Sequence, residues 1–138
     1  MKNDPLILRR SDAALEDVCR RLPEVSQRHK FGVLGTHDLK EKMLSKGVAF
    51  DRECRVFEVC NPQQAQAVLT RSIEISTALP CRIAVYQEKG QTVLATIKPT
   101  LLLTMFNTPE AAAIAEEVEA TMTRIMEETA TGAAAPAG

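Results

Sequence analysis

The sequence has few aromatic side chains and almost no excess of charge. It contains no Trp, one Tyr and four Phe among 138 residues, so it offers few rings on which the bases of a single-stranded nucleic acid stack. Its formal net charge is −1, which argues against a surface built to bind polyphosphates. We therefore expect no nucleic-acid partner.

Signals for membranes and secretion are also missing. The apolar run at residues 101–103 is far too short to span a bilayer, and residues 1–5 lack the apolar stretch of a secretory signal. We expect no membrane association and a cytoplasmic location. In that compartment the cysteines are expected to be reduced thiols rather than disulfides; they are Cys19, Cys54, Cys60 and Cys81.

The familiar catalytic and cofactor motifs are absent too. Gly32 and Gly35 are isolated and do not form a phosphate-binding loop, and the sequence has no serine elbow and no HExxH. No two cysteines form the CxxC pair typical of zinc ribbons and thioredoxin-like proteins. These absences identify no cofactor and leave it open whether the protein is an enzyme.

What the sequence does contain is a strand that leads directly into a helix near residue 60. Val56, Phe57 and Val59 are β-branched and aromatic types that favour a strand. Asn61 is a good N-cap and Pro62 suits the first helical position. Cys60 is therefore predicted at a helix N-terminus, where free N–H groups and the helix dipole favour a thiolate.

The remaining apolar patterns predict the element order β-α-β-α-β-α-β-β-α. The last two strands form a hairpin around Gly90, and the apolar run at residues 100–106 fits a strand, a short helix or a loop. We predict an α+β two-layer sandwich, with helices packed on one mixed sheet of about five strands. We expect residues 1–130 to form a single domain and residues 131–138, which are Ala, Gly, Pro and Thr, to form a flexible tail.

The same patterns predict a core and a self-association surface. Helices can cover only one face of such a sheet, so the other face favours a homodimer. The residues predicted to be mostly buried are Leu15, Val18, Leu22, Val68, Leu69, Val85, Ile97, Ile114, Val118 and Met122.

Several short segments of the sequence occur in the same order as similar segments in a known protein family. They include residues 31–34, residues 59–62, residues 79–86 and Lys98-Pro99. In the order and approximate spacing of these segments, the sequence resembles the bacterial and archaeal family known as domain-of-unknown-function family 302, over most of residues 5–126. The resemblance implies a small α+β fold that is often self-associated. It implies no established reaction and therefore no catalytic residues.

The candidate site residues are Cys60, Cys81, His37, Glu58 and Asn61. Cys60 ends one predicted strand and Cys81 begins another, so two thiols and the His37 imidazole can meet at one rim of the sheet. These groups are ligands suited to zinc, copper(I) or iron. The alternative is that both cysteines are buried packing residues and that Arg55 or Arg82 neutralises Glu58.

Three functions remain open at this point. The first is a binding module that holds a metal or a small molecule near the strand-to-helix turn. The second is a redox or transfer enzyme that uses the Cys60 thiol. The third is a dimeric interaction protein with no catalytic site.

Overall fold

Five strands form one twisted sheet in the computed structural model, which describes residues 4–132. The strands are β1 Leu6–Ser11, β2 Gly32–Asp38, β3 Cys54–Cys60, β4 Cys81–Glu88 and β5 Gln91–Ile97. Their spatial order is β1-β5-β4-β3-β2, so the first two strands of the chain lie at opposite edges.

The predicted α+β class is confirmed, but the sheet is antiparallel rather than mixed across the described strands. The alternation of strands and helices suggested parallel pairs. The helical connection after β1 leads to β2, which runs parallel to β1. These two strands lie at opposite edges of the sheet, so they do not pair with each other. The connections after β2 and β3 return the chain beside the strand it has just left, and so act as long hairpins.

The helices match the predicted order, with one addition. The helices are α1 Leu15–Arg28, α2 Leu39–Ser45, α3 Pro62–Arg71, α4 Pro99–Leu103 and α5 Pro109–Thr131. The run at residues 100–106, for which the sequence left strand, helix and loop open, is helical. It consists of α4 followed by a 3₁₀ turn over Thr104–Phe106. Helix α5 extends one residue into the predicted tail, and residues 133–138 of that tail lie outside the described residues. None of the helices in residues 4–132 is long and apolar enough to cross a membrane.

The strand-to-helix turn at Asn61 is confirmed. β3 ends at Cys60, and the Asn61 side-chain oxygen accepts hydrogen bonds from the backbone N–H groups of Gln63 at 3.0 Å and Gln64 at 3.1 Å. Two of the N–H groups that a helix leaves unpaired at its first turn are thereby satisfied. The turn therefore fixes where α3 leaves the sheet.

Helices α1 and α5 cover one face of the sheet and form the larger of two apolar clusters. A second, smaller cluster forms where α3 and α4 meet α5, and Ile114 packs against both clusters. The larger cluster includes Val18, Leu22, Phe57, Val59, Ile83, Val85, Val118 and Met122, and the smaller one consists of Val68, Ile75, Leu103, Ala111 and Ala115. Most of the predicted core is confirmed, although Leu69 and Ile114 are only partly buried.

Ile97 is the clear exception in the predicted core, because its side chain is 48% exposed. Successive side chains of a strand point to opposite faces, so Ile97 shares the side of β5 with Ala95, away from the buried Leu94. The strand register places Leu8, Ala95, Ala84 and Val56 in one row across this second face. We call the face of the sheet that carries Ile97 and this row of four residues the open face.

Candidate functional site

A pocket of about 110 Å³ lies at the turn between β3 and α3. Cys60, Asn61 and Cys81 line it, so three of the five predicted site residues share one cavity. β3 ends and β4 begins at this point, while α3 and α4 both pack against α5. The pocket is the space left where the two apolar clusters meet.

The pocket walls come from both clusters and are mostly apolar. Among the lining residues, Arg82 and Ile97 are the exposed ones, so the mouth of the pocket borders the open face. The other lining residues are Phe31, Val59, Gln64, Ala65, Val68, Ala78, Leu79, Pro80, Thr96, Pro99, Leu102, Leu103, Ile114 and Val118.

Two of the polar groups in the lining already have partners. The Asn61 oxygen accepts the two N–H bonds of the helix cap. The Thr96 hydroxyl donates to the backbone carbonyl of Arg82 at 2.6 Å. Neither oxygen is therefore left without a hydrogen bond.

Gln64 differs from these two residues. Its side-chain Nε2 donates to Glu117 Oε1 at 3.4 Å, whereas its Oε1 is buried and has no hydrogen-bond partner within the described residues. A carboxylate only accepts hydrogen bonds, so Glu117 orients the amide with its nitrogen outward and leaves the oxygen as the unpaired atom. The pocket lining thus contains a buried acceptor without a donor.

The two thiols in the pocket are held in their neutral form. Burial raises the pKa of Cys60, and burial together with the neighbouring Cys60 raises the pKa of Cys81 to about 11. The helix N-terminus does not offset this, since the Asn61 side chain occupies the N–H groups of Gln63 and Gln64. Both sites therefore oppose the thiolate that attack on a substrate or binding of a metal requires.

His37 and Glu58 lie outside the pocket, on the side of the sheet that faces away from the buried Phe57 and Val59. His37 Nε2 lies 3.4 Å from Glu58 Oε1, and Arg82 Nη2 lies 3.7 Å from Glu58 Oε2. Gly35 makes room for this group, because a Cβ there would be 2.9 Å from Glu58 Oε1. Arg82 is thus one partner of Glu58, while Arg55 pairs with Glu16 and Asp38.

The register explains why the predicted constellation divides into two. On β2, Gly32 lies opposite Cys60 and His37 lies opposite Val56. Four residues of β3 separate these positions, which is roughly 13 Å along the strand. Within residues 4–132, no three His, Cys, Asp or Glu side chains come together in a way that could hold a metal ion.

The helical walls of the pocket were not predicted from the sequence. Gln64, Ala65 and Val68 line it from α3, and Leu102 and Leu103 line it from α4. The undecided apolar run at residues 100–106 was the one signal for α4. Gln64 differs from the other glutamines of α3 in lying three residues after Asn61, a spacing that indicates a capping box rather than a pocket residue.

Comparison with known proteins places this architecture in a family. The model of the family described as domain of unknown function DUF302 matches residues 7–129, so the chain belongs to that family. A crystal structure of an uncharacterized conserved DUF302 protein from Bacillus stearothermophilus is 32% identical and has a TM-score of 0.86. That match covers 91% of this chain and 98% of the other. No curated protein matches the chain.

Proposed function

We propose that this protein is a binding module that holds a small, largely apolar molecule in the pocket between β3, α3 and α4. The observation that carries the proposal is the lining, in which apolar side chains surround a few polar groups at the strand-to-helix turn. Small-molecule sites in proteins share this composition, with polar groups that orient the ligand and apolar walls that supply most of the affinity.

The volume sets the size of the occupant. A cavity of roughly 150 Å³ accommodates benzene, and this pocket of about 110 Å³ is smaller but open at its mouth beside Arg82 and Ile97. A single small ring or a short alkyl chain fits inside, and a larger ligand would extend through the mouth. Ligands of this size bind in the millimolar to high micromolar range.

Two alanines on α3 provide a test variant and its control. Ala65 lines the pocket, whereas Ala67 on the same helix is exposed. Toluene titrated into the full-length protein should shift the methyl NMR signals of Leu103, Ile114 and Val118. Ala65→Phe fills the pocket and should abolish these shifts, while Ala67→Phe should leave them unchanged. Wild-type spectra unaffected by toluene at millimolar concentration would refute the proposal.

The alternative function, a redox or transfer enzyme that uses the Cys60 thiol, has less support. A thiol that attacks a substrate at neutral pH needs a lowered pKa, whereas burial raises the pKa of both Cys60 and Cys81. Alkylation of the native protein near neutral pH, followed by mapping of the label, separates the two readings. Rapid modification of Cys60 in the folded state would favour the enzyme.

A second function, self-association, rests on the open face. Leu6 and Ile97 are 36% and 48% exposed there and flank the row of Leu8, Ala95, Ala84 and Val56. Five strands of six to eight residues present a face of about 500 Å² per copy. Two such faces bury about 1,000 Å², which reaches the lower bound of a specific interface.

The charges on this face suit a second copy of the same chain. Arg10 pairs with Glu88 at 3.6 Å near one end of the strands, and Arg82 pairs with Glu58 near the other. Each end carries both signs, so a copy related by a twofold axis can place acid opposite base. We therefore propose a homodimer formed through the open face.

Sedimentation at micromolar concentration tests the dimer. Ala84→Lys places a charge at the centre of the face and should yield monomers. Leu6→Lys at the edge tests the same surface if the central variant does not fold. Ala113→Lys is the matched control, because Ala113 is exposed on α5, the helix that packs against the opposite face of the sheet. A wild-type protein that sediments as a monomer would exclude the dimer.

A further inference from the structure

We infer that the ligand of this pocket is a small monocarboxylate, whose apolar body lies inside the pocket and whose carboxylate binds Arg82 at the mouth. The inference rests on the proposed function and names the class of ligand. Among the described residues that line the pocket, Arg82 alone carries a charge. Its side chain is 61% exposed, so a group that emerges from the mouth can reach its guanidinium.

The start of β4 places Arg82 at the mouth. Cys81 begins the strand and packs against the larger apolar cluster, and Arg82 follows it opposite Glu58 of β3. Because successive side chains alternate between the two faces, Arg82 lies on the side of β4 away from the buried Ile83, which is the open face. Two adjacent residues therefore give the pocket an apolar wall and a cationic rim.

The Arg82 guanidinium has hydrogen-bonding capacity to spare. Its ion-pair partner is Glu58, whose Oε2 lies 3.7 Å from Nη2, which is too far for a hydrogen bond. Within residues 4–132 this guanidinium donates no hydrogen bond, although the group carries five N–H donors. A ligand carboxylate can accept two parallel N–H bonds from it, an arrangement that Glu58 does not make at this distance.

The interior of the pocket offers no partner for a charge. The Asn61 oxygen is used by the helix cap, and the Thr96 hydroxyl donates to a backbone carbonyl. Burial raises the pKa of the Cys60 and Cys81 thiols, so they remain neutral at physiological pH. Transfer of an ion into such surroundings is strongly unfavourable. The apolar body of the ligand therefore occupies the interior, and its charge stays at the mouth.

Glu58 limits the charge that the mouth accepts. Its Oε2 lies beside Arg82, and its Oε1 lies 3.4 Å from His37 Nε2. One negative charge on the ligand is balanced by Arg82, whereas a second would be repelled by Glu58 without a further cation to offset it. A phosphate monoester carries roughly two negative charges at neutral pH. The mouth therefore suits a monocarboxylate better than a phosphate monoester.

Three single-ring probes test the inference, namely toluene, phenol and benzoate, whose substituents are apolar, polar but neutral, and anionic. Dissociation constants come from methyl NMR titration of the full-length protein, read at Leu103, Ile114 and Val118. In Arg82→Gln, the affinity for benzoate relative to toluene should fall about 2- to 5-fold, as the loss of one exposed ion pair predicts. The affinity for phenol relative to toluene should change less, because phenol is uncharged.

Arg71→Gln is the matched control for the lost charge. Arg71 is 64% exposed and pairs with Glu110 at 3.8 Å, much as Arg82 pairs with Glu58, but it does not line the pocket. The net charge changes by the same amount in both variants. The ratio of benzoate to toluene affinity should therefore stay at its wild-type value in Arg71→Gln.

Glu58→Gln tests the same charge balance in the opposite direction. Removal of this carboxylate takes away the competitor for Arg82, so the affinity for benzoate relative to toluene should rise. Glu110→Gln is the control with the same change of charge away from the pocket lining. This pair keeps the inference testable if Arg82→Gln does not fold, and a ratio in Glu58→Gln that stays level or falls would contradict it.

The outcomes separate the inference from the proposed function. If toluene binds but benzoate does not, or if Arg82→Gln keeps the wild-type ratio, the inference is overturned and the apolar binding function stands. Benzoate that still binds to Ala65→Phe, in which the pocket is filled, would be held outside the pocket and would overturn the inference as well. If no probe shifts the pocket methyl signals, the proposed function and the inference both fail. A lower ratio in Arg82→Gln with an unchanged ratio in Arg71→Gln supports both.

Discussion

Cys81 lies beside Val59 in the sheet, and its environment determines its chemistry more than its residue type does. A cysteine at a strand end can be a ligand, a nucleophile or a small apolar side chain, and the sequence alone does not separate these roles. Burial raises the pKa of Cys81 to about 11, with a smaller contribution from Cys60. The Cys81 thiol is therefore held in its protonated form at neutral pH, and the consequence for stability can be measured.

The free energy of unfolding should decrease as the pH rises from about 8.5, the usual pKa of an unfolded cysteine, towards the folded-state pKa of Cys81, about 11. In that window the unfolded chain has released the thiol proton and the folded protein retains it, so alkaline pH favours unfolding. The full loss is on the order of 1–3 kcal/mol, and below the window the contribution is fully present. Denaturant unfolding at several pH values should show a shallower decrease for Cys81→Ala. Parallel curves for wild type and variant would contradict the assignment.

At the scale of single elements, the turn from β3 into α3 determines where the pocket forms. The Asn61 cap begins α3 directly after Cys60, and this places Gln64, Ala65 and Val68 along the pocket wall. A helix that began one residue later would turn these side chains by about 100° around its axis. The integrity of the cap is therefore a requirement for the site as well as for the helix.

Asn61→Ala should lower the free energy of unfolding by about 0.5–2 kcal/mol, because two backbone N–H groups lose their acceptor. Asn61→Asp keeps an acceptor at the same place and should retain most of the stability. Gln63→Ala is the control on the same turn, since the Gln63 side chain is exposed. Denaturation midpoints for the three variants provide the measurement, and a midpoint of Asn61→Ala equal to that of Gln63→Ala would show that the cap contributes nothing.

This turn was predictable from the sequence because its determinants are local. Asn61 and Pro62 carry strong positional preferences for the start of a helix, and the β4–β5 hairpin was equally clear from Gly90, whose φ is +78°. The separation of His37 from Cys60 was not predictable in this way. It depends on the register between β2 and β3, including a bulge between Val33 and Gly35, and register is a property of two strands together.

The side of β5 that faces outward was also not predictable from the sequence. The sequence of residues 92–97, Thr-Val-Leu-Ala-Thr-Ile, has no regular alternation of polar and apolar residues from which the faces could be assigned, and residues 92–96 are all buried. Nothing in this run separates the face of Ile97 from that of Leu94. The partner strand β1, which sets Leu6 opposite Ile97, lies far away in the sequence and reaches β5 only in the folded sheet.

At the scale of the whole molecule, the pocket and the open face are neighbours. Arg82 and Ile97 belong to the pocket lining, and both are exposed on the side of the sheet away from α1 and α5. A second copy seated on the open face would therefore lie beside the mouth of the pocket. Because binding free energies are reciprocal, any effect of the dimer on the ligand must appear as an equal effect of the ligand on the dimer.

We accordingly predict that saturation of the pocket with phenol strengthens the dimer, since a partner at the mouth adds contacts to the ligand and slows its escape. Sedimentation with and without millimolar phenol should show a larger dimer fraction at the same protein concentration. Ala65→Phe, which fills the pocket from α3, should remove the effect of phenol while the protein still dimerises. A dimer fraction that is the same in both conditions would mean that the two surfaces work independently, although the mouth of one borders the other.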